Sequence, residues 1–133
     1  MTTEIPKQYL DLFSEEKKAF GYVATVMPDG SPQVTPVWVD YDGKQLVLNT
    51  AKGRVKERNL RRNPSLAVVI PDPQNPYRYM QVRGRAELDE TGADAHIDKM
   101  AKKYLGVDKY PYRQPGEQRI IIRVTPVSVQ AWG

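Results

Sequence analysis

Apolar positions along the chain follow two rhythms, an every-other-residue alternation and a three-to-four-residue spacing, separated by turns rich in Pro, Gly, Asp and Asn. Pro6 to Phe13 opens with apolar Tyr9, Leu10, Leu12 and Phe13 and reads as a short starting helix. Phe20 to Met27 is β-branched and aromatic, Pro28-Asp29-Gly30-Ser31 is a turn, and Gln33 to Val39 returns as a second strand. Tyr41-Asp42-Gly43-Lys44 is a hairpin signal before a third strand, Gln45 to Asn49, so the first half reads as a three-stranded meander. A helix is predicted over 53–63, ended by Pro64. Ser65 to Ile70 is a buried strand, and the proline-rich stretch 71–76 reads as a loop. Tyr77 to Leu88 alternates, with Tyr77, Tyr79 and Gln81 on one face and a bulge or bend at Gly84. Ala93 to Leu105 is helical, with Ile97, Met100, Ala101, Tyr104 and Leu105 on one stripe and Gly106 as its stop. Residues 110–116 form a loop, and Arg119 to Trp132 makes a long final strand bent at Pro126.

These elements predict one domain, residues 1–133, mainly β with short helices: six antiparallel strands closed or partly closed into a barrel. Composition narrows the function. The net charge is +4, which suits an anionic ligand without requiring nucleic acid. Cysteine is absent, excluding disulfides, thiolate nucleophiles and cysteine-based metal sites. A single histidine, His96, is too few for a multi-histidine metal site, and its position beside Ile97 reads as structural. Asp89, Glu90, Asp94 and Asp98 read as a solvated loop and helix face. The N-terminus lacks the basic-then-apolar pattern of a signal peptide, and no apolar run approaches a membrane span, so a cytoplasmic location is expected.

The most informative stretch runs from Asn49 to Pro64. It passes from a strand through Thr50, Ala51, Lys52 and Gly53 into a helix carrying Arg54, Lys56, Arg58, Arg61 and Arg62. A helix start offers free N–H groups and partial positive charge, so cations there are unfavourable unless an anion joins them. Two readings follow: a phosphate cradle of Thr50, Arg54 and Lys56 with amides near Lys52 and Gly53, or a bare solvated basic face. Pro36, inside Thr35-Pro36-Val37-Trp38, removes a ladder donor and marks either an edge strand or a place where unpaired backbone meets a flat heterocycle. Tyr77-Arg78-Tyr79 and Trp132 suit a dimer interface, stacking on a planar ligand, or stacking on nucleic-acid bases. Glycine-rich dinucleotide and Walker motifs are absent, so an enzymatic reaction would rest on a bound cofactor.

The order of these features, with Arg54-Val55-Lys56-Glu57-Arg58-Asn59-Leu60-Arg61-Arg62-Asn63-Pro64 at its centre and Val82-Arg83-Gly84 after it, resembles the split β-barrel, pyridoxamine 5′-phosphate oxidase-like superfamily. Within it, the branch using the deazaflavin coenzyme F420 is the most similar. The resemblance implies a homodimer with a cofactor at each interface. It implies that Pro36, Val37 and Trp38 lie along the ring, that Asn49, Thr50, Ala51, Lys52 and Gly53 border the side chain and phosphate, and that Arg54, Lys56 and Asn59 bind or support the phosphate. Arg78 and Tyr79 would close the partner's site, with Trp132 near the ring. The C-terminal sequence Val127-Ser128-Val129-Gln130-Ala131-Trp132-Gly133 lacks the Arg-x-His motif of the vitamin B6 oxidases, and Tyr79 stands where they carry glutamine. Arg58, Arg61 and Arg62 suit the acidic glutamyl tail of F420, with FMN as the alternative cofactor. The implied activity is hydride transfer to an organic acceptor. The rival readings are a flavin or tetrapyrrole carrier without turnover, and a small nucleic-acid binder whose affinity would fall steeply with salt.

Overall fold

The computed structural model describes residues 3–133. After a 3-10 helix, Lys7–Phe13, come β1 (Phe20–Val26), β2 (Pro32–Trp38), β3 (Asp40–Tyr41), β4 (Leu46–Ala51), helix α1 (Val55–Arg62), β5 (Ser65–Asp72), β6 (Asn75–Asp89), helix α2 (Ala93–Leu105) and β7 (Arg119–Trp132). The strands form one antiparallel sheet in the order β2-β1-β5-β6-β7-β4-β3. Its two outermost strands, β2 and β3, are separated in sequence only by Val39. The sheet therefore curls until both edges end in one bent stretch of chain, 32–41. Counted as one strand, that stretch gives the expected six, and the architecture is the expected mainly β split barrel.

The barrel interior follows from strand alternation. Val23, Leu46, Leu48, Val68, Ile70, Met80, Val82, Ile122 and Val124 point inward and form the main core with Leu12 and Leu60. On β4 and the first half of β7 the outward residues are buried too, because α2 lies over them: Val47 and Ile121 pack on Ala93. Ile97, Met100 and Tyr104 of α2 pack together with Trp38 and Tyr110. Leu105, expected on this stripe, is exposed at the helix end.

Three expectations change. The first three strands are not a meander: β1 and β2 pair, but β4 pairs with β7 through Leu46↔Val124 to Ala51↔Arg119. The chain crosses from one edge of the sheet to the other at Val39, which alternation within a strand does not encode. The stretch 71–76 is mostly strand, with Pro71 opposite Tyr79 and Asp72 opposite Asn75. Pro71 lies beyond Val69, where pairing with β1 ends, so it needs ladder bonds to one neighbour only. The basic helix begins at Val55, not Gly53, because Gly53 is left-handed at φ +92° and Arg54 is extended.

The bend in β7 has a defined cause. Arg83 faces Ser128 and Gly84 faces Pro126, leaving Val127 as the extra residue of a β-bulge. Gly84 is required there, since a Cβ would stand 2.4 Å from the Thr125 carbonyl oxygen. Thr3 covers the bulge, its N–H donating to Pro126 O and its hydroxyl to Val127 O.

Candidate functional site

A cleft of about 170 Å³ opens outside the barrel where β2, β4, the start of α1, α2 and the 106–116 loop converge. Pro36, Val37, Trp38, Asn49, Arg54 and Lys56, all singled out from the sequence, line it. Phe20, Ile97, Tyr110, Tyr112 and Arg119 complete the wall. A drug-sized ligand needs several hundred Å³, so one chain supplies only part of an enclosure for a flavin-sized molecule.

Its floor is aromatic. Trp38 stacks on Tyr104 with ring centres 5.2 Å apart and planes 6° from parallel, and Tyr110 meets Trp38 edge-on at 6.0 Å. Tyr104 is pinned from below: its hydroxyl donates to Ala19 O at 2.6 Å and accepts from the Val39 N–H at 3.1 Å. Burial pushes its phenol up to about 12. The neighbouring Lys103 donates to the carbonyls of Phe13 and Val39, tying the same bend to α2.

The other wall is cationic. Gly53 turns the chain out of β4, and its N–H donates to Glu57 Oε1 at 2.7 Å, which ties the first turn of α1 back to the residue before its N-cap. The N-cap, Arg54, offers no side-chain oxygen, so the first-turn N–H groups of α1 receive no cap from it. Arg119 is 3% exposed; it donates through Nη1 to Glu117 at 2.9 Å and through Nε to Asn49 Oδ1 at 2.9 Å, and its guanidinium lies 5.0 Å from the Tyr110 ring centre. Glu117 also faces Arg54 at 3.8 Å. Arg54 and Arg119 thus share one carboxylate, with Lys56 beside them. Lys56 is half-buried and has no carboxylate within salt-bridge distance among the described residues. Burial, with Arg54 and Arg119 adding repulsion, pulls its ammonium below the usual lysine range. Such a site gains free energy when an anion enters.

The remaining sequence candidates lie elsewhere. Alternation turns Thr50 inward, fully buried, its hydroxyl without a hydrogen-bond partner, and Ala51 is buried beside it. The Lys52 N–H is engaged by Gln118 O at 2.8 Å, as the Gly53 N–H is by Glu57, so these two amides are not free. Asn59 is buried beneath α1, donating to Thr25 Oγ1 and accepting from Arg62, so it supports the helix from below. Arg61 is held by Glu57 and Arg62 also reaches Val26 O, whereas Arg58 stands exposed. Arg78 is engaged within its own chain by Asp11, Asp72 and Gln8 O and stacks on Tyr9. Tyr79 and Trp132 face each other across β6 and β7, with Trp132 67% exposed.

Arg119, Glu117 and the two loop tyrosines escaped the sequence reading. Arg119 opens an apolar strand, Arg119-Ile120-Ile121-Ile122, and a charged residue flanking such a run is ordinary. Only the pairing Ala51↔Arg119 carries it to the cradle.

Comparison with known proteins agrees with this architecture. The family model described as pyridoxamine 5′-phosphate oxidase matches residues 5–133. A solved F420 reductase is 36% identical, with a TM-score of 0.80 over 95% of this chain and 98% of that one. The conserved hypothetical protein Rv2991 of Mycobacterium tuberculosis is 23% identical, with a TM-score of 0.72 over 96% and 84% of the two chains. A proposed pyridoxamine 5′-phosphate oxidase of Listeria innocua is 21% identical, with a TM-score of 0.70 over 93% and 94%. The last two likenesses speak for the fold alone. The chain belongs to the pyridoxamine 5′-phosphate oxidase-like split-barrel family, and its 36% identity with an F420 reductase ties it to the deazaflavin branch.

Proposed function

We propose that the cleft binds coenzyme F420, in preference to FMN, and that the protein is an oxidoreductase passing a hydride from the reduced cofactor to an organic acceptor. The observation that carries this is Lys56: a half-buried ammonium beside Arg54 and Arg119 with one carboxylate, Glu117, among the three. The donor set fits a phosphate. Arg54, Lys56 and the free amides of the first turn of α1 would hold it, with Arg119 behind them. Pro36, Val37 and Trp38 would lie along the ring, Pro36 contributing an edge without an N–H. When bound, the deazaflavin supplies a two-electron hydride donor. The chain itself positions the ring and excludes water with Trp38, Tyr110 and Tyr112; no side chain in the cleft is arranged as an obligatory acid or base.

The preference for F420 rests on the 36% identical F420 reductase and on exposed Arg58, available to an acidic tail. The proposal includes a homodimer. The outer face of the sheet from β2 to β7 exposes Tyr22, Val34 and Trp132, with Tyr79 opposite Trp132, around the polar pairs Gln81–Gln130 and Arg83–Ser128, a mixed aromatic and polar face of the kind that interfaces bury. A second chain across it would enclose the ring that one cleft leaves open.

The test is a titration of the cofactor-free protein with F420 and FMN separately, followed by the intrinsic fluorescence of Trp38 and Trp132. Saturable quenching by F420 at lower concentration than FMN supports the assignment. Tighter binding of FMN moves the protein to the flavin branch, and no response to either removes the cradle. Binding without oxidation of the reduced cofactor, against quinone, enone and tetrapyrrole acceptors, would make the protein a carrier.

A further inference from the structure

Asn49 lies between two groups whose protons constrain it from opposite sides. Arg119 keeps its protons throughout the accessible pH range, so its Nε–H must donate to Asn49, and it meets Oδ1 at 2.9 Å. That fixes the amide's orientation: Nδ2 donates to Ala93 O at 3.0 Å and faces His96 Nδ1 at 3.0 Å. His96 Nδ1 must then accept, which puts the imidazole proton on Nε2. That nitrogen is buried, without a hydrogen-bond partner, and 3.7 Å from Asp40 Oδ2. The charged groups around the ring are Asp40 from β3, Lys99 one turn along α2 and bound to the same carboxylate, and Arg119 from β7 beyond Asn49.

We propose that His96 and Asn49 are positioning residues for the Arg119 guanidinium, and that protonation of His96 frees its Nε from Asn49. This deepens the cofactor reading and rests on the cleft being the phosphate site. A protonated ring donates from both nitrogens, so Nδ1–H confronts the Asn49 NH2 group. If the amide turns over, Oδ1 accepts from His96, but NH2 then confronts Arg119 Nε–H and Ala93 O loses its donor. No orientation of Asn49 serves both cations. Arg119 therefore gives up its Asn49 contact when His96 is charged and keeps only Glu117 and the Tyr110 ring, so the cationic wall is held less firmly. The added charge on His96 faces Asp40, so geometry rather than attraction for the anion sets the sign: affinity falls in acid.

His96→Asn keeps an acceptor near the place of Nδ1 and does not titrate. Wild type and His96→Asn are titrated with F420, and in parallel with FMN, at pH 8 and pH 5.5; the probe's own ionisation cancels in the comparison. Wild type should lose about tenfold more affinity than the variant, the effect of displacing one charged hydrogen bond. Equal losses, or tighter wild-type binding at pH 5.5, overturn the proposal. A second measurement needs no ligand: the Arg119 Nε–H resonance, followed by NMR, should move between pH 8 and pH 5.5 in wild type and stay constant in His96→Asn. If neither cofactor binds, the cofactor reading fails while this resonance still decides the positioning role. If the resonance ignores His96, the positioning role fails even where binding is intact.

Discussion

Replacing Lys56 by methionine should weaken cofactor binding and stabilise the empty protein in the same variant. Methionine keeps most of the stem's length and packing and removes the charge. In the empty cleft the ammonium is half-buried and repelled by Arg54 and Arg119, with its pKa drawn below that of a free lysine, first by burial. A lysine whose folded-state pKa is lowered binds fewer protons folded than unfolded between the two values, so its charge costs stability at neutral pH. Removing it should raise the apo melting temperature. With cofactor present the sign reverses. One charge-assisted hydrogen bond contributes about 1.5–3 kcal/mol, so affinity should fall roughly ten- to hundredfold. Thermal unfolding with and without saturating cofactor reads both effects, because a ligand that binds only the folded state stabilises it in proportion to its affinity. A variant less stable than wild type when empty, with unchanged cofactor affinity, would refute the reasoning: Lys56 would then be an ordinary surface residue.

Other consequences concern the scaffold. Tyr104 ionises near 10 when unfolded and about 12 when folded, so its contribution is complete below pH 10 and lost as pH rises through 12, by about 2–3 kcal/mol in all. Tyr104→Phe should flatten that alkaline loss in a denaturant titration; yet it should cost about 1–3 kcal/mol at neutral pH, because it strands the Val39 N–H. An equally steep alkaline loss in the variant would contradict this. Gly84→Ala should destabilise by several times the roughly 0.5 kcal/mol typical of a surface change, since its Cβ would collide with backbone at Thr125; wild-type stability in urea would show the bulge to be pliable. Asp72 is held low by the Gln74 N–H and by Lys17, and Asp11 by Arg78, so the clamp between the 3-10 helix and the β5–β6 turn holds above the normal aspartate range. It should loosen as pH falls through the range below about 4. Faster amide exchange at residues 7–14, before the barrel opens, would be the sign; simultaneous exchange everywhere would show that the clamp is not separable.

Alternation made the strands legible because one face of each meets the core: Gly21, Val23 and Thr25 turn inward from β1 while Phe20 and Tyr22 face out. Capping made α2 legible, with Gly106 left-handed at its stop. Pairing was not legible, because a strand's face pattern is the same whichever neighbour it has; β4 beside β7 follows from curling of the whole sheet. The candidate site divided along the same line. Arg54 and Lys56 declared themselves as cations at a helix start, where the backbone partial charge is also positive. Asn49 and Thr50, adjacent in sequence, point to opposite sides of β4, so only Asn49 faces the cleft with its side chain. Arg119 comes from 65 residues beyond Arg54 and reaches the cradle only through the β4–β7 ladder. Arg78, read from the sequence as a cation between two tyrosines suited to an interface or to stacking, is bound within its own chain by Asp11 and Asp72, and Asp11 lies 67 residues away.

The central claim is that the cleft recognises a phosphate-bearing deazaflavin through its three cations. Calorimetric titration of the wild-type protein with F420 and with its deazaflavin core lacking phosphate and glutamyl tail tests it most directly. The account predicts that F420 binds at least about a hundredfold tighter, two or more charged hydrogen bonds being lost with the phosphate, and that added salt narrows the gap. Equal affinity for the two compounds would contradict it.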